Sequence, residues 1–293
     1  MTHDQLAERF DSHRTHLRAV AYRMLGSLSE AEDAVQDAWL RLGRTDAGRI
    51  ENLGGWLTTV VARLCLDRLR TRASRPEQPL GLQPPGTTLD GSGHRDPEQE
   101  ALLADSVGLA LLVVLDRLAP AERVAFVLHD LFAVPFEQIA PIVERSPTAA
   151  KKLGSRARQR VHGAATPTSA DLTRQRRVVD AFLAAARGGD LEALLGLLDP
   201  DVVRRADRAA LAVRQPAELR GARAVAEETR GNARRARYAR AALVNGAVGL
   251  VVAPRGRLRF ALTLAVEGDK ITQIEVIADP ARLARLDLAV LPR

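Results

Sequence analysis

The sequence predicts two all-α blocks followed by an α+β domain, and three observations carry that reading. Apolar residues recur at three- and four-residue spacing through 4–73 and again through 105–161. Between them, 76–104 holds five Pro and four Gly with little periodicity. Beyond about residue 170 the pattern becomes two helices and then five short strand-like runs. At 293 residues the chain has room for two or three domains, each with its own core.

In the first block the spacing predicts helices over 4–25, 29–43 and 53–73. Ser29 and Glu32 have the spacing of a capping box, and Val35, Ala38, Trp39 and Leu42 line one face of the second helix. Its other face carries Glu32, Asp33, Gln36, Asp37 and Arg41. The third helix presents Trp56, Leu57, Val60, Val61, Leu64 and Leu69, with Arg68, Arg70, Arg72 and Arg75 toward its end. Cys65 is the single cysteine, set between Leu64 and Leu66, which suits a structural thiol better than a redox or metal role. The segment 76–104 reads as an acidic linker. After it come an apolar helix over 105–118 and another opening at Leu118-Ala119-Pro120 and running through His129.

Phe136 to Val161 reads as a helix-turn-helix. Ile139, Ala140 and Val143 face inward on a short neutral helix, and the turn Glu144–Arg145–Ser146 follows. Pro141 removes one N–H from that helix and is expected to shorten or kink it. Ser146 is placed to cap the second helix and Pro147 to fill its first turn, where a missing N–H costs nothing. Ala150, Leu153, Ala157 and Val161 make the inward stripe. Lys151, Lys152, Arg156, Arg158 and Arg160 fall largely off it, with no acid among them. The chain has 40 arginines and three lysines, and two of those lysines stand side by side here. Such a helix suits a groove lined by phosphates. Gly154 costs about 1 kcal/mol against alanine inside a helix, and close approach of another backbone is the expected reason for it.

The third region shows helices over Arg174–Arg187 and Leu191–Leu198, then strand-like runs at 201–206, 237–244, 247–253, 258–267 and 271–278. Gly246 and Gly268 fall at turns. Helices followed by a curved antiparallel sheet make an α+β domain.

The net charge of +7 is unevenly placed: +2 over 1–75, −4 over 76–104, +2 over 105–163 and +7 over 164–293. Total charge therefore says little about the helix-turn-helix, whose basic face is a local feature. The charged start MTHDQLAERF argues against a signal peptide, and the longest apolar run, Val107 to Leu115, is about half of what a bilayer needs. No P-loop or metal-ligand spacing is present, so no cofactor or metal is expected.

Taken together, SEAEDAVQDAWLRL at 29–42, GWLTTVVARLCLDRLR at 55–70 and LAPAERVAFVLHDLFAVPFEQIA at 118–140 resemble the extracytoplasmic-function (ECF) RNA polymerase sigma factors. VNGAVGLVV at 244–252 and ITQIEVIADPARLARLDL at 271–288 resemble the SnoaL-like (NTF2-like) extension of one subgroup. The resemblance implies two all-α sigma domains, a region 2 bundle at 1–75 and a region 4 helix-turn-helix at 105–163. These are joined by the linker at 76–104 and followed by a SnoaL-like regulatory domain at 170–293.

It implies that Glu32, Asp33, Gln36 and Asp37 dock on the basic clamp coiled coil of core RNA polymerase, where acidic and amide groups steer encounter. The polymerase flap is a further implied partner. The loop at Arg49–Asn52 and the helix with Trp56, Arg63, Asp67, Arg68 and Arg70 would read the single-stranded minus-ten element. That task needs a polar pocket for a flipped base and basic groups for backbone. Trp56 fits a buried core position equally well. Thr148, Lys151, Lys152, Ser155, Arg156 and Arg158 would meet the minus-thirty-five duplex, reading guanine edges or phosphates.

The expected protein is a cytoplasmic, non-catalytic initiation factor that binds promoter DNA and no membrane. SnoaL-like enzymes use Asp and His pairs, but all six histidines lie at or before residue 162. Acid–base chemistry in the third region would rest on carboxylates such as Asp207 or Glu275. Relatives carry a DGGGK motif and a WLPEP-type linker motif. Here Asp207-Arg208-Ala209-Ala210-Leu211 and Gln78-Pro79-Leu80-Gly81-Leu82 stand in those places, and both are degenerate. The third domain is expected to modulate the other two through contacts with them or with the oppositely charged linker. Two other readings remain open: a helix-turn-helix regulator with a ligand-sensing SnoaL-like domain, and an isomerase or cyclase fused to a DNA-binding segment.

Overall fold

The computed structural model describes residues 3–46, 50–74, 108–162, 169–211, 215–254 and 257–291. The expected linker and Arg49 lie outside them. The chain divides into two compact units, one drawn from 1–78 and 115–160, the other from 79–114 and 161–293.

In the first unit α1 (His3–Leu25), α2 (Leu28–Leu42) and α3 (Leu53–Ser74) pack on one another. Leu17, Met24, Leu42, Leu57 and Leu66 are fully buried. Helix α2 starts earlier than the Ser29 box predicts. Gly26 takes a positive φ of 71° and Ser27 is extended, so Ser27 becomes the cap and accepts the Glu30 N–H at 3.5 Å. Cys65 is buried as expected, and that burial pushes its thiol up to about 12.

Helix α4 spans Leu109–Asp116 and α5 spans Pro120–Phe126, with Pro120 in the first turn. The helix expected to run through His129 widens instead into a π turn at Val127–Leu131. His129 in this turn stacks on Phe136 with ring centroids 3.9 Å apart, and its Nδ1 lies 3.0 Å from the Val134 carbonyl.

Arg123 of α5 is 2% exposed and bonds Asp116 at 3.0 Å. Burial lowers its pKa, Asp116 opposes that shift, and the nearby Arg72 adds to it. A buried cation on one helical block thus lies within the electrostatic reach of the other.

Helices α6 (Phe136–Val143) and α7 (Pro147–His162) form the predicted helix-turn-helix. Pro141 lies inside α6, which ends two residues later at Val143, with Glu144 after it in the left-handed region, φ 57°. Ser146 Oγ accepts the Ala149 N–H at 3.3 Å, and Ala150, Ala157 and Val161 are buried.

The second unit holds α8 (Ser169–Gly188), α9 (Leu191–Leu197, capped by Asp190) and a seven-stranded mixed sheet. Its strands are β1 (Leu198–Ala206), β2 (Glu218–Arg220), β3 (Ala239–Val244), β4 (Ala247–Val252), β5 (Phe260–Glu267), β6 (Lys270–Ile277) and β7 (Leu288–Ala289). The order is β2-β1-β6-β5-β4-β3-β7. Five neighbouring pairs are antiparallel, as expected, while β1 and β6 run parallel.

Asn245 and Gly246, both at positive φ, join β3 to β4 in the two-residue turn that matches strand twist. Strands β2 and β7, and helices α10 (Ala222–Gly231), α11 (Ala233–Ala236) and α12 (Pro280–Arg285), add to the expected elements. Helix α8 packs on β3, β4 and β5, burying Val179 and Phe182 with Leu194, Val225 and Ile274. Among the described residues, no helix is long and apolar enough to cross a membrane.

Candidate nucleic-acid interface

The basic helix offers the cleanest face. Thr148, Lys151, Lys152, Ser155 and Arg156 are all exposed, and at 100° per residue they share one arc of α7. The helix carries no acidic residue. Its two flanks are pinned to the block beneath it. Arg158 is half-buried and sits 2.5 Å from Asp130, and Arg160 reaches the buried Glu122 at 2.5 Å. The expectation that Arg158 reads DNA therefore meets a structural use for that side chain: it stands at the edge of the arc, seven residues after Lys151, and Asp130 engages it there.

Gly154 is also explained differently. A Cβ there would meet the Phe136 ring at 3.0 Å, so the close neighbour is an aromatic side chain and not a backbone.

On α3, Trp56, Arg63, Asp67 and Arg70 fall on one stripe at seven-, four- and three-residue steps. Trp56 is half-buried, and the other three are exposed. The stripe runs toward the helix-turn-helix. Arg63 Nη2 donates to the Pro141 carbonyl at 3.4 Å, and Arg70 lies 3.5 Å from Glu144. Asn52 caps α3 by accepting the Gly55 N–H at 2.9 Å. Arg68 turns away from the stripe: it bonds Asp37 at 2.7 Å and the Glu30 carbonyl at 2.6 Å, tying α3 to α2.

That bond divides the acidic face of α2. Asp37 is engaged by Arg68, Glu32 lies 4.0 Å from Arg18, and Asp33 and Gln36 are exposed. Leu40 joins them at 50% exposure. It stands four residues after Gln36 and seven after Asp33, on the same face. The sequence signal for Leu40 was its place off the stripe of Val35, Ala38 and Leu42; periodicity searched for buried residues passes over it.

In the second unit, Asp207 and Glu275 both bond Arg282. Burial raises the Asp207 pKa. The backbone N–H groups of Asp279 and Ala278, each at 3.0 Å, and Arg282 outweigh it and hold the carboxyl below its usual range. A carboxylate so held is a poor proton donor. Among the described residues, no group of three or more His, Cys, Asp or Glu is placed to hold a metal ion.

Residues 9–75 match the Sigma-70 region 2 family and residues 108–161 match Sigma-70, region 4. The chain is 35% identical over 285 residues to the probable ECF RNA polymerase sigma factor SigI of Mycobacterium tuberculosis, covering 96% of each. The chain belongs to the ECF RNA polymerase sigma factors. Its similarity to SigJ of the same organism is 43% over 199 residues, covering 68% of this chain and 64% of SigJ. The crystal structure of M. tuberculosis SigJ aligns over 94% of this chain and 98% of that one, with 33% identity and a TM-score of 0.46.

In this sigma factor, α2 and α3 belong to the region 2 match and α5 to α7 to the region 4 match. The region 2 stripe at Arg63 and Arg70 thus contacts region 4, while the α7 face of region 4 stays exposed.

Proposed function

We propose that this chain binds core RNA polymerase, directs it to promoters and starts transcription without catalysis of its own. The observation that carries this is the pairing, within matched sigma regions, of an acid-free exposed arc on α7 with a separate polar stripe on α3. Thr148, Lys151, Lys152, Ser155 and Arg156 read the minus-thirty-five duplex, cations gripping phosphates and setting register. Trp56, Arg63, Asp67 and Arg70, with Asn52 at the helix start, read the melted minus-ten strand, and Arg49 shares that role. Stacking and backbone contacts dominate there.

Polymerase docks on the α2 face. Asp33, Gln36, Glu32 and Asp37 supply the polar rim and Leu40 an apolar anchor, the usual anatomy of a specific interface. Arg68 positions Asp37, and Arg158 holds α7 in place. Because Arg63 and Arg70 contact region 4 in the free chain, minus-ten reading requires α3 and α6 to separate, and docking on polymerase supplies the free energy. The sigma domains occupy 1–75 and 105–163, and the domain at 170–293 modulates them.

Reconstitution of the chain with core polymerase tests this. Promoter-dependent transcripts are expected; failure to form a stable complex with core refutes the reading.

A further inference from the structure

We infer that the C-terminal domain contains a binding site for a small apolar molecule bearing a single negative charge, such as an aromatic or aliphatic carboxylate. A cavity of about 140 Å³ opens between the sheet and helices α8, α10 and α11. Its walls are mostly aliphatic and aromatic, with Phe182, Leu250, Phe260 and Ile274 among them. Protein interiors close-pack, and voids much larger than a water molecule are few. A concave apolar space with a few convergent polar groups is the ordinary form of a ligand site.

The polar groups set the charge. Among the described residues Glu228 is the one carboxylate lining the cavity, and the 2%-exposed Arg204 neutralises it through a two-pronged ion pair. Arg204 is saturated further by the Pro216 and Ala217 carbonyls at 3.1 and 3.3 Å, so this pair forms a wall and not a ligand-binding charge. Arg235 also lines the cavity, half-exposed, with its guanidinium 6.0 Å from the Phe260 ring centroid. From Thr229 to Val266 the sequence contains no Asp or Glu, while arginines recur through 230–240 and 255–259. The cavity is therefore apolar inside and positive at Arg235. A neutral ligand would leave that cation without an anion, and a dianion would exceed it. The inference does not rest on the role of the sigma regions.

The test uses the full chain with 2-naphthoate and its neutral counterpart 2-naphthol at pH 7, titrated calorimetrically. Naphthoate is expected to bind at least about tenfold more tightly than naphthol, the scale of one charge-assisted hydrogen bond. Arg235→Gln should remove that difference and leave naphthol binding unchanged. Ala206→Leu, which fills the cavity from β1, should abolish both. Circular dichroism checks that each variant folds, and if Ala206→Leu does not, Arg235→Gln decides alone. The site is refuted if neither probe binds, if the two bind equally, or if Arg235→Gln leaves the naphthoate preference intact. Because transcription is not the readout, failure here leaves the sigma assignment untouched.

Discussion

The two surfaces proposed to meet DNA differ in what already occupies them. The α7 arc faces outward, with its flanks pinned by Arg158–Asp130 and Arg160–Glu122. The α3 stripe touches region 4 through Arg63 and Arg70. The same residue types thus give an exposed surface in one place and a surface in use by its own chain in the other. Binding of duplex by the free chain should come from α7, and single-strand reading should appear only after the unit opens.

The largest effect that could break this contrast is at α7. Replacing Lys151, Lys152 and Arg156 together by Ala should weaken duplex binding by about two orders of magnitude and flatten its salt dependence by about three in slope. Fluorescence anisotropy across a salt series checks it. A next perturbation acts on the block that holds the α3 stripe closed. Asp116→Ala leaves Arg123 buried without its carboxylate and should destabilise the first unit by about 3 kcal/mol in urea melts. Arg123→Met should be close to neutral, since it removes the buried charge as well.

Asp207→Asn should make the second unit less stable at pH 7 by about 1 kcal/mol while leaving the first unit's transition unchanged. A folded carboxyl held below its usual value stabilises above the unfolded pKa near 3.9. That stabilisation is lost as pH falls through the folded value, so wild type and variant should converge in acid. The smallest effect sharpens the comparison most. The Arg70–Glu144 pair is exposed and contributes at most about 1 kcal/mol. Glu144→Ala should therefore raise single-strand affinity only a few-fold and leave duplex affinity alone.

Much of this was legible in the sequence, where neighbours along the chain decide the outcome. Ser146, Pro147 and the stripe of Ala150, Leu153, Ala157 and Val161 specify α7 by local capping and period, and the structure keeps them, with Leu153 half-buried and the other three buried. The Asn245–Gly246 turn is local in the same way. What stayed hidden depends on distant residues. Arg158 and Arg68 look like neighbouring cations until Asp130 and Asp37 arrive across the fold. The parallel pairing of β1 with β6 joins strands about 70 residues apart, beyond any hairpin signal. Leu40 escapes periodicity for the opposite reason: what marks it is its 50% exposure.

The contrast is tested most directly by the distance between α3 and α6. Thr71→Cys and Arg145→Cys are both exposed and can be labelled for energy transfer. Cys65 stays unlabelled, because its thiol is buried and pushed up to about 12. High transfer is expected in the free chain, with a clear fall on adding core polymerase. Transfer that stays high in a complex active in promoter-dependent transcription would contradict the claim that the α3 stripe must leave region 4 to read DNA.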